Sequence, residues 1–463
     1  MPAGSSDAFV CEALADVVAH EVGHTLGLRH NFAASAAWSA EQLADPGHVA
    51  RHGTAGSVMD YLPPSMPANR SRQSYYFGPV VGPYDKWAIA VAYAPSAAED
   101  AAAAAAAAAP PADAAAGLPI PAAMPAETAA LLARAAEPEL AFCTDDDEPG
   151  PMGLDHRCST YDLTSSPVAY FRDRVALARA AAARAVASAV SAPGERGDYA
   201  DGYALARAVL HTSSVSVASA GRYAATALGG AAVARARFGQ LPPGAPPVAA
   251  APPAAQRDAL ALLAELLTGD ALYVPAAEAG AMTVRGYRTD AGGVWYDQDA
   301  LGRLPAPLVA DARRAKAAVL ASALAPARGE AMARAAWAAR AQPAQPEPPV
   351  DAAEVVDALV AAAWGAAATA AMHAGMPGDS SGGGCATADA LAAAVAELGA
   401  ADAERRATQL LVMAALRSAA EGPPGDTRAA AQGALAEARA GLACMLRAAA
   451  DRRTRMHLLA ATE

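Results

Sequence analysis

Aromatic residues are scarce in this chain, 5% of 463 residues, although 54% of it is hydrophobic. Alanine supplies much of the difference. The apolar content therefore carries few large side chains for packing, and long alanine-rich runs favour helix over strand. A long, strongly apolar run free of charge is also absent, and the alanine runs are too weakly hydrophobic to read as a membrane span. Basic charge is in deficit, with 35 Lys and Arg against 47 Asp and Glu and a formal net charge of −12. That argues against a nucleic-acid partner, which calls for a basic face. No C-x-x-C pair occurs among Cys11, Cys143, Cys158, Cys385 and Cys444. Cys143 and Cys158 can close a small loop if the protein is exported; equally, the cysteines can be free or buried thiols. No repeat of fixed period is visible, so a solenoid is not supported.

One stretch carries chemistry. His20-Glu21-Val22-Gly23-His24-Thr25-Leu26-Gly27-Leu28-Arg29-His30 reads H-E-x-x-H-x-x-G-x-x-H. Residues i and i+4 of a helix share a face, so His20 and His24 can offer two imidazoles to one ion. Glycine takes positive φ without a Cβ penalty, so a turn at Gly27 can end the helix and bring His30 round as a third ligand. Three histidines leave one tetrahedral position of Zn2+ for water, the arrangement of a catalytic site rather than a closed structural one. Glu21, beside the metal rather than bound to it, is placed to take the proton of that water and pass it to a leaving amine.

Downstream stands Ser57-Val58-Met59-Asp60-Tyr61. Together with the histidine motif it resembles the metzincin zinc peptidases, whose second mark is a methionine-containing turn beneath the metal. The resemblance implies that Met59 forms a soft apolar floor under the ligands. It also implies that Tyr61 matches the tyrosine of astacins and serralysins that ligates zinc or stabilises the oxyanion. His30-Asn31-Phe32, the methionine turn and Gly82-Pro83-Tyr84-Asp85-Lys86-Trp87-Ala88-Ile89 together resemble a narrower group: large bacterial zinc-dependent metallopeptidases, generally exported, with a long helical C-terminal region. The match covers roughly residues 8–93 and, more weakly, 140–170. In better-known metzincin subfamilies Ser, Asp, Glu or Pro commonly follows the third histidine. Here it is Asn31, so their substrate preferences are not carried over.

In metzincins the metal helix follows an N-terminal subdomain whose sheet edge binds extended substrate by β-augmentation. Here that helix begins almost at once, after Met1–Asp7, which has neither the basic nor the apolar region of a secretory signal. The expectation is a catalytic subdomain truncated at its N-terminus, secreted or periplasmic by family resemblance alone.

The expected fold class is mainly α: the C-terminal part of a metzincin-like catalytic domain, active-site helix plus methionine turn, followed by an alanine-rich, mostly helical region. The expected parts are residues 1–95 as the zinc-binding subdomain, 96–139 as an Ala/Pro-rich linker or insertion, and 140–463 as the helical region. The metal helix should run from about Ala8 to Leu28 with Asp7 as N-cap. Val10, Leu14, Val17 and Val18 should form an apolar stripe facing the missing sheet. Residues 31–56 read as a loop, because Pro46, Gly47 and Gly53 argue against helix. That makes His48 and His52 exposed histidines rather than a second metal site. Pro63–Pro67 reads as extended, and Tyr84–Tyr93 as a helix with Trp87 and Ile89 facing its core. Asp145, Asp146, Asp147, Glu148 and Asp155 form a candidate Ca2+ loop, although their spacing does not fit an EF-hand; a solvated turn or a wall of the cleft are the other readings.

Beyond, helices are expected at 168–191, 201–237, 255–268, 306–340, 351–374, 386–420 and 427–459, with a hairpin between Tyr273 and Tyr296. Gly378-Asp379-Ser380-Ser381-Gly382-Gly383 looks superficially like a serine-protease nucleophile, but the extra serine breaks the spacing and a helix–helix linker is the better reading.

The leading functional expectation is a zinc-dependent endopeptidase acting on extended polypeptide. His20, His24 and His30 hold one zinc, Glu21 is base and then acid, Met59 is the floor, and Tyr61 assists at the oxyanion. The alternatives are a catalytically silent, truncated helical protein and a zinc-dependent amidase. Oligomeric state is not legible.

Overall fold

A computed structural model describes residues 6–93, 126–147, 155–191, 199–234, 246–268, 287–290, 293–296, 306–340, 347–374, 385–400 and 403–462. The serine-rich stretch 378–383, Glu148 and most of the Ala/Pro-rich segment lie outside them. Among the described residues helix dominates, with only short strands. The mainly-α expectation holds. No helix among the described residues is long and apolar enough to cross a membrane. The chain divides into two compact units, the first made of the described residues up to 147 together with 155–170 and parts of 232–249, the second of 171–231 and 250 onward.

The first unit opens with α1 (Ser6–Thr25). Asp7 lies inside its first turn rather than capping it, where a carboxylate complements the positive end of the helix dipole. The helix also stops earlier than expected, at Thr25. Val10, Leu14, Val17 and Val18 are all more than half exposed. Two short helices follow where a loop was expected, α2 (Ala40–Ala44) and α3 (Pro46–His52). Proline is harmless in a first turn, where its missing N–H would have no helical partner, and the Asp45 side chain caps Gly47 N–H. His48 and His52 are half-buried rather than free in solvent. Their ring centroids lie 4.7 Å apart, and Trp38 packs on both at 4.8 and 5.6 Å.

After a stretch through Pro63–Pro67 without regular secondary structure comes α4 (Pro83–Tyr93), which buries Tyr84 and Asp85. Trp87 and Ile89 are half-buried, and Trp87 Nε1–H donates to the carbonyl of Leu131 in α5 (Ala126–Ala133) at 2.8 Å. A segment closed by a Cys143–Cys158 disulfide completes the unit before α6 (Pro167–Ser191) begins.

The second unit is a helical assembly: the body of α6, α7 (Tyr199–Ala227), α8 (Pro253–Thr268), α9 (Ala306–Ala323), α10 (Pro326–Arg340), α11 (Ala352–Trp364), α12 (Ala366–His373), α13 (Ala388–Ala400), α14 (Ala403–Glu421), α15 (Asp426–Ala448) and α16 (Arg452–Thr462). Three of the long helices expected from periodicity are each two helices, divided at Leu324–Ala325, Gly365 and Ala449–Asp451, and the expected 386–420 helix is described as Ala388–Ala400 and Ala403–Glu421. Another ends at Ala227, ten residues early, and leads into a strand, Ala231–Val233. The expected hairpin is present as Tyr287–Asp290 paired antiparallel with Gly293–Tyr296. Leu262, Leu263, Leu267, Leu320, Leu359, Trp364 and Met372 are essentially solvent-free and concentrate the few large side chains in one core. A second disulfide, Cys385–Cys444, ties the approach to α13 onto α15, while Cys11 is free and exposed.

Candidate metal centre

The end of α1 brings the three histidines together. Leu28 N–H donates to Gly23 O at 3.1 Å and Gly27 N–H to His24 O at 3.0 Å, a Schellman closure with Gly27 at φ +86°. The chain reverses there and returns His30 to the face that carries His20 and His24. One ligating atom from each histidine lies within 4.8 Å of the others. No other group of three or more His, Cys, Asp or Glu among the described residues converges in this way.

Each imidazole is held from behind at Nδ1. His20 donates to Val58 O at 2.8 Å, His24 to Leu28 O at 3.0 Å, and His30 to Asp145 Oδ1 at 2.7 Å. An Nδ1–H committed to an oxygen leaves the lone pair on Nε2, the tautomer a metal ligand needs. His30 Nε2 is buried with no hydrogen-bond partner, a costly arrangement for a polar atom unless something outside the polypeptide satisfies it. The donor set is three neutral nitrogens with no carboxylate among the ligating atoms, which suits Zn2+ rather than Ca2+.

The turn at Ser57–Tyr61 is fastened to α1 and α4. Asp85 accepts from Ser57 Oγ–H, from Val58 N–H at 2.9 Å and from Gly82 N–H at 2.9 Å. Burial pushes its pKa up, and these three donors pull against that shift. Met59 is fully buried, and a Cβ at Gly23 would collide with its Sδ. The thioether thus lies directly under the metal helix. Asn31, also fully buried, joins this turn to the disulfide segment: its N–H donates to Met59 O, its Nδ2 to Ala141 O, and its Oδ1 accepts from Cys143 N–H.

A family model described as Met-zincin matches residues 3–370 of this sequence, a range within which the histidine cluster and the Ser57–Tyr61 turn lie. The chain belongs to the Met-zincin family. No curated protein and no solved structure matches it.

In this Met-zincin, Glu21 is exposed on α1. Tyr61 is partly exposed, its ring 4.5 Å from that of His30 and 5.5 Å from that of His20. Burial, with the nearby charges of Asp145 and Glu21 and the neighbouring Tyr161, raises its pKa, so its hydroxyl keeps its proton at neutral pH.

The described part of the acidic run gives no support to a calcium loop. Asp145 binds His30, Asp146 pairs with Arg29 at 3.0 Å, Asp147 accepts from Thr144 N–H, and Asp155 grips Arg157 and Val233 N–H. These carboxylates are spent on protein partners and offer no shared oxygen cage. Sequence reading missed Asp145, Asp85, Asn31 and Gly23 as supports of the site. Gly23 alone carried a local signal, as a glycine in the middle of a helix where alanine would be more favourable.

Proposed function

We propose that this chain is a zinc-dependent endopeptidase in which His20, His24 and His30 hold one zinc ion. The observation that carries the reading is the trio of imidazoles tied at Nδ1, with one Nε2 buried and unsatisfied. Zinc in such a site supplies Lewis acidity and lowers the pKa of a bound water to near neutrality. Glu21, next to His20 in the motif, takes the proton of the attacking water and delivers it to the departing amine. Tyr61, protonated and exposed at the edge of the cluster, donates its O–H to the developing oxyanion. Met59 and Asp85 keep the floor and the turn in place under α1. Polypeptide is the substrate. Two disulfides favour an oxidising compartment, secreted or periplasmic.

The test is zinc content per purified chain, with Glu21→Ala and His24→Ala alongside. Wild type and Glu21→Ala should each hold about one zinc and His24→Ala should lose it, while casein cleavage should vanish in Glu21→Ala. A soluble, helical wild type without zinc would sink the reading. The exposed stripe Val10, Leu14, Val17 and Val18 favours a second reading, a catalytically silent helical structural or interaction protein. Zinc binding without casein cleavage would point to it.

A further inference from the structure

Beside the histidine cluster, Tyr161 sits in a conformation that tyrosine rarely adopts. Its φ is +62°, in the left-handed region where a Cβ is crowded and glycine or asparagine fits more easily. The backbone around it is pinned from several directions. Cys158 is held by its disulfide, Ser159 N–H donates to Phe32 O at 3.2 Å, and Tyr161 N–H donates to Tyr61 O at 2.9 Å. The next three residues, Asp162, Leu163 and Thr164, are buried, whereas the Tyr161 side chain is 60% exposed. Burial in the core does not account for an aromatic residue here, since its ring is turned out of the core while its neighbours are turned in. Strained residues that persist against sterics concentrate at functional sites.

The ring has a definite partner. It lies 6.3 Å from the Tyr61 ring with an interplanar angle of 24°, and Tyr61 in turn is 4.5 Å from His30 and 5.4 Å from buried Phe32. An aromatic row therefore leads from the metal ligands outward, buried at Phe32 and open at Tyr161. We propose that Tyr161 is a specificity-determining residue whose exposed ring receives a large apolar or aromatic side chain of the peptide next to the scissile bond. This rests on the peptidase reading above. A flat aromatic face gains from covering by an apolar side chain and prefers an offset or edge-on ring, whereas a small or charged side chain gains little from it.

The experiment is to digest a complex peptide library with the zinc-loaded full chain and map the cleavage positions by mass spectrometry. Tyr161→Asn and Tyr161→Phe are run in parallel, asparagine being chosen because it tolerates the left-handed backbone. Wild type should show enrichment of Phe, Tyr, Leu or Met at one position flanking the cut. Tyr161→Asn should lose about tenfold of that preference with zinc content unchanged, and Tyr161→Phe should keep it. An identical cleavage profile in Tyr161→Asn overturns the proposal and leaves the peptidase reading standing. A binding measurement separates the two when no cleavage is seen. Fluorescein-labelled peptides carrying Phe or Ala are titrated onto Glu21→Gln and onto Glu21→Gln/Tyr161→Asn. Tighter binding of the Phe peptide that depends on Tyr161 supports the proposal even if the chain proves inactive. Equal binding by the two variants overturns it.

Discussion

Asp145 Oδ1 accepts a hydrogen bond from His30 Nδ1 at 2.7 Å, across 115 residues of chain. The bond holds the Asp145 carboxyl below the ordinary carboxylate range and fixes the ring of the one ligand that lies beyond the helix. His20 and His24 are oriented by backbone carbonyls close to the motif and its methionine turn, so a side-chain change can remove this support only at His30.

Asp145→Asn should therefore weaken zinc affinity about 10- to 100-fold, the usual cost of losing a partner behind a metal-bound histidine. Competition against a chromogenic chelator reads this directly, independent of any activity. Affinity equal to wild type would mean that the carboxylate does not orient His30.

Gly23→Ala should be destabilising despite alanine's better helix propensity. Intrinsic preference alone predicts a gain of about 1 kcal/mol. The added methyl meets Met59 Sδ, and overpacking of this kind costs about 1–3 kcal/mol. Urea denaturation measures the difference, and pairing the change with Met59→Ala should recover part of the loss. A more stable single variant would show that Met59 moves aside freely.

Replacing Cys143 and Cys158 together by serine should cost about 2–4 kcal/mol, because the bridge closes a short loop and both sulfurs are buried. The same segment presents Asp145 to His30, so zinc affinity should fall with it. Thermal melts and chelator competition on one preparation check both effects. Loss of stability with unchanged affinity would separate the loop from the metal centre.

Asp16, one helical turn before His20, has its pKa raised by burial to about 6, opposed by a hydrogen bond from Gly78 N–H. A carboxyl with a raised folded-state pKa favours the native state when protonated. Its contribution is fully present below about 4 and is lost as pH rises through about 6. Asp16→Asn, which keeps an acceptor for Gly78, should be more stable than wild type by about 1–2 kcal/mol at pH 7.5 and should converge with it near pH 4. Melting temperatures across that range decide the sign; a variant less stable than wild type at pH 7.5 would refute it.

Local spacing determined a good deal of this protein without help. Four residues between His20 and His24 place them on one helical face whatever surrounds the helix, because 3.6 residues make a turn. Gly27 could end that helix because only its own backbone had to turn, and alanine's propensity is enough to make the second unit helical. Tertiary structure decided the rest. The partnership of Asp145 with His30, the clamp of Asn31 on Cys143 and the contact of Met59 with Gly23 join residues distant in the chain, and distant pairs leave no period to read. Helix ends followed the same division. In the alanine-rich run from 306 to 340 the break falls before Pro326, a local signal, because the proline ring disfavours helix in the preceding residue. Pro46 shows the converse: a residue that breaks helices in their interior starts one here, since Asp45 stood in position to cap it. Composition and spacing set which elements and which ligands were available, and the helix end itself supplied Leu28 O behind His24; packing in three dimensions supplied Val58 O behind His20 and Asp145 behind His30.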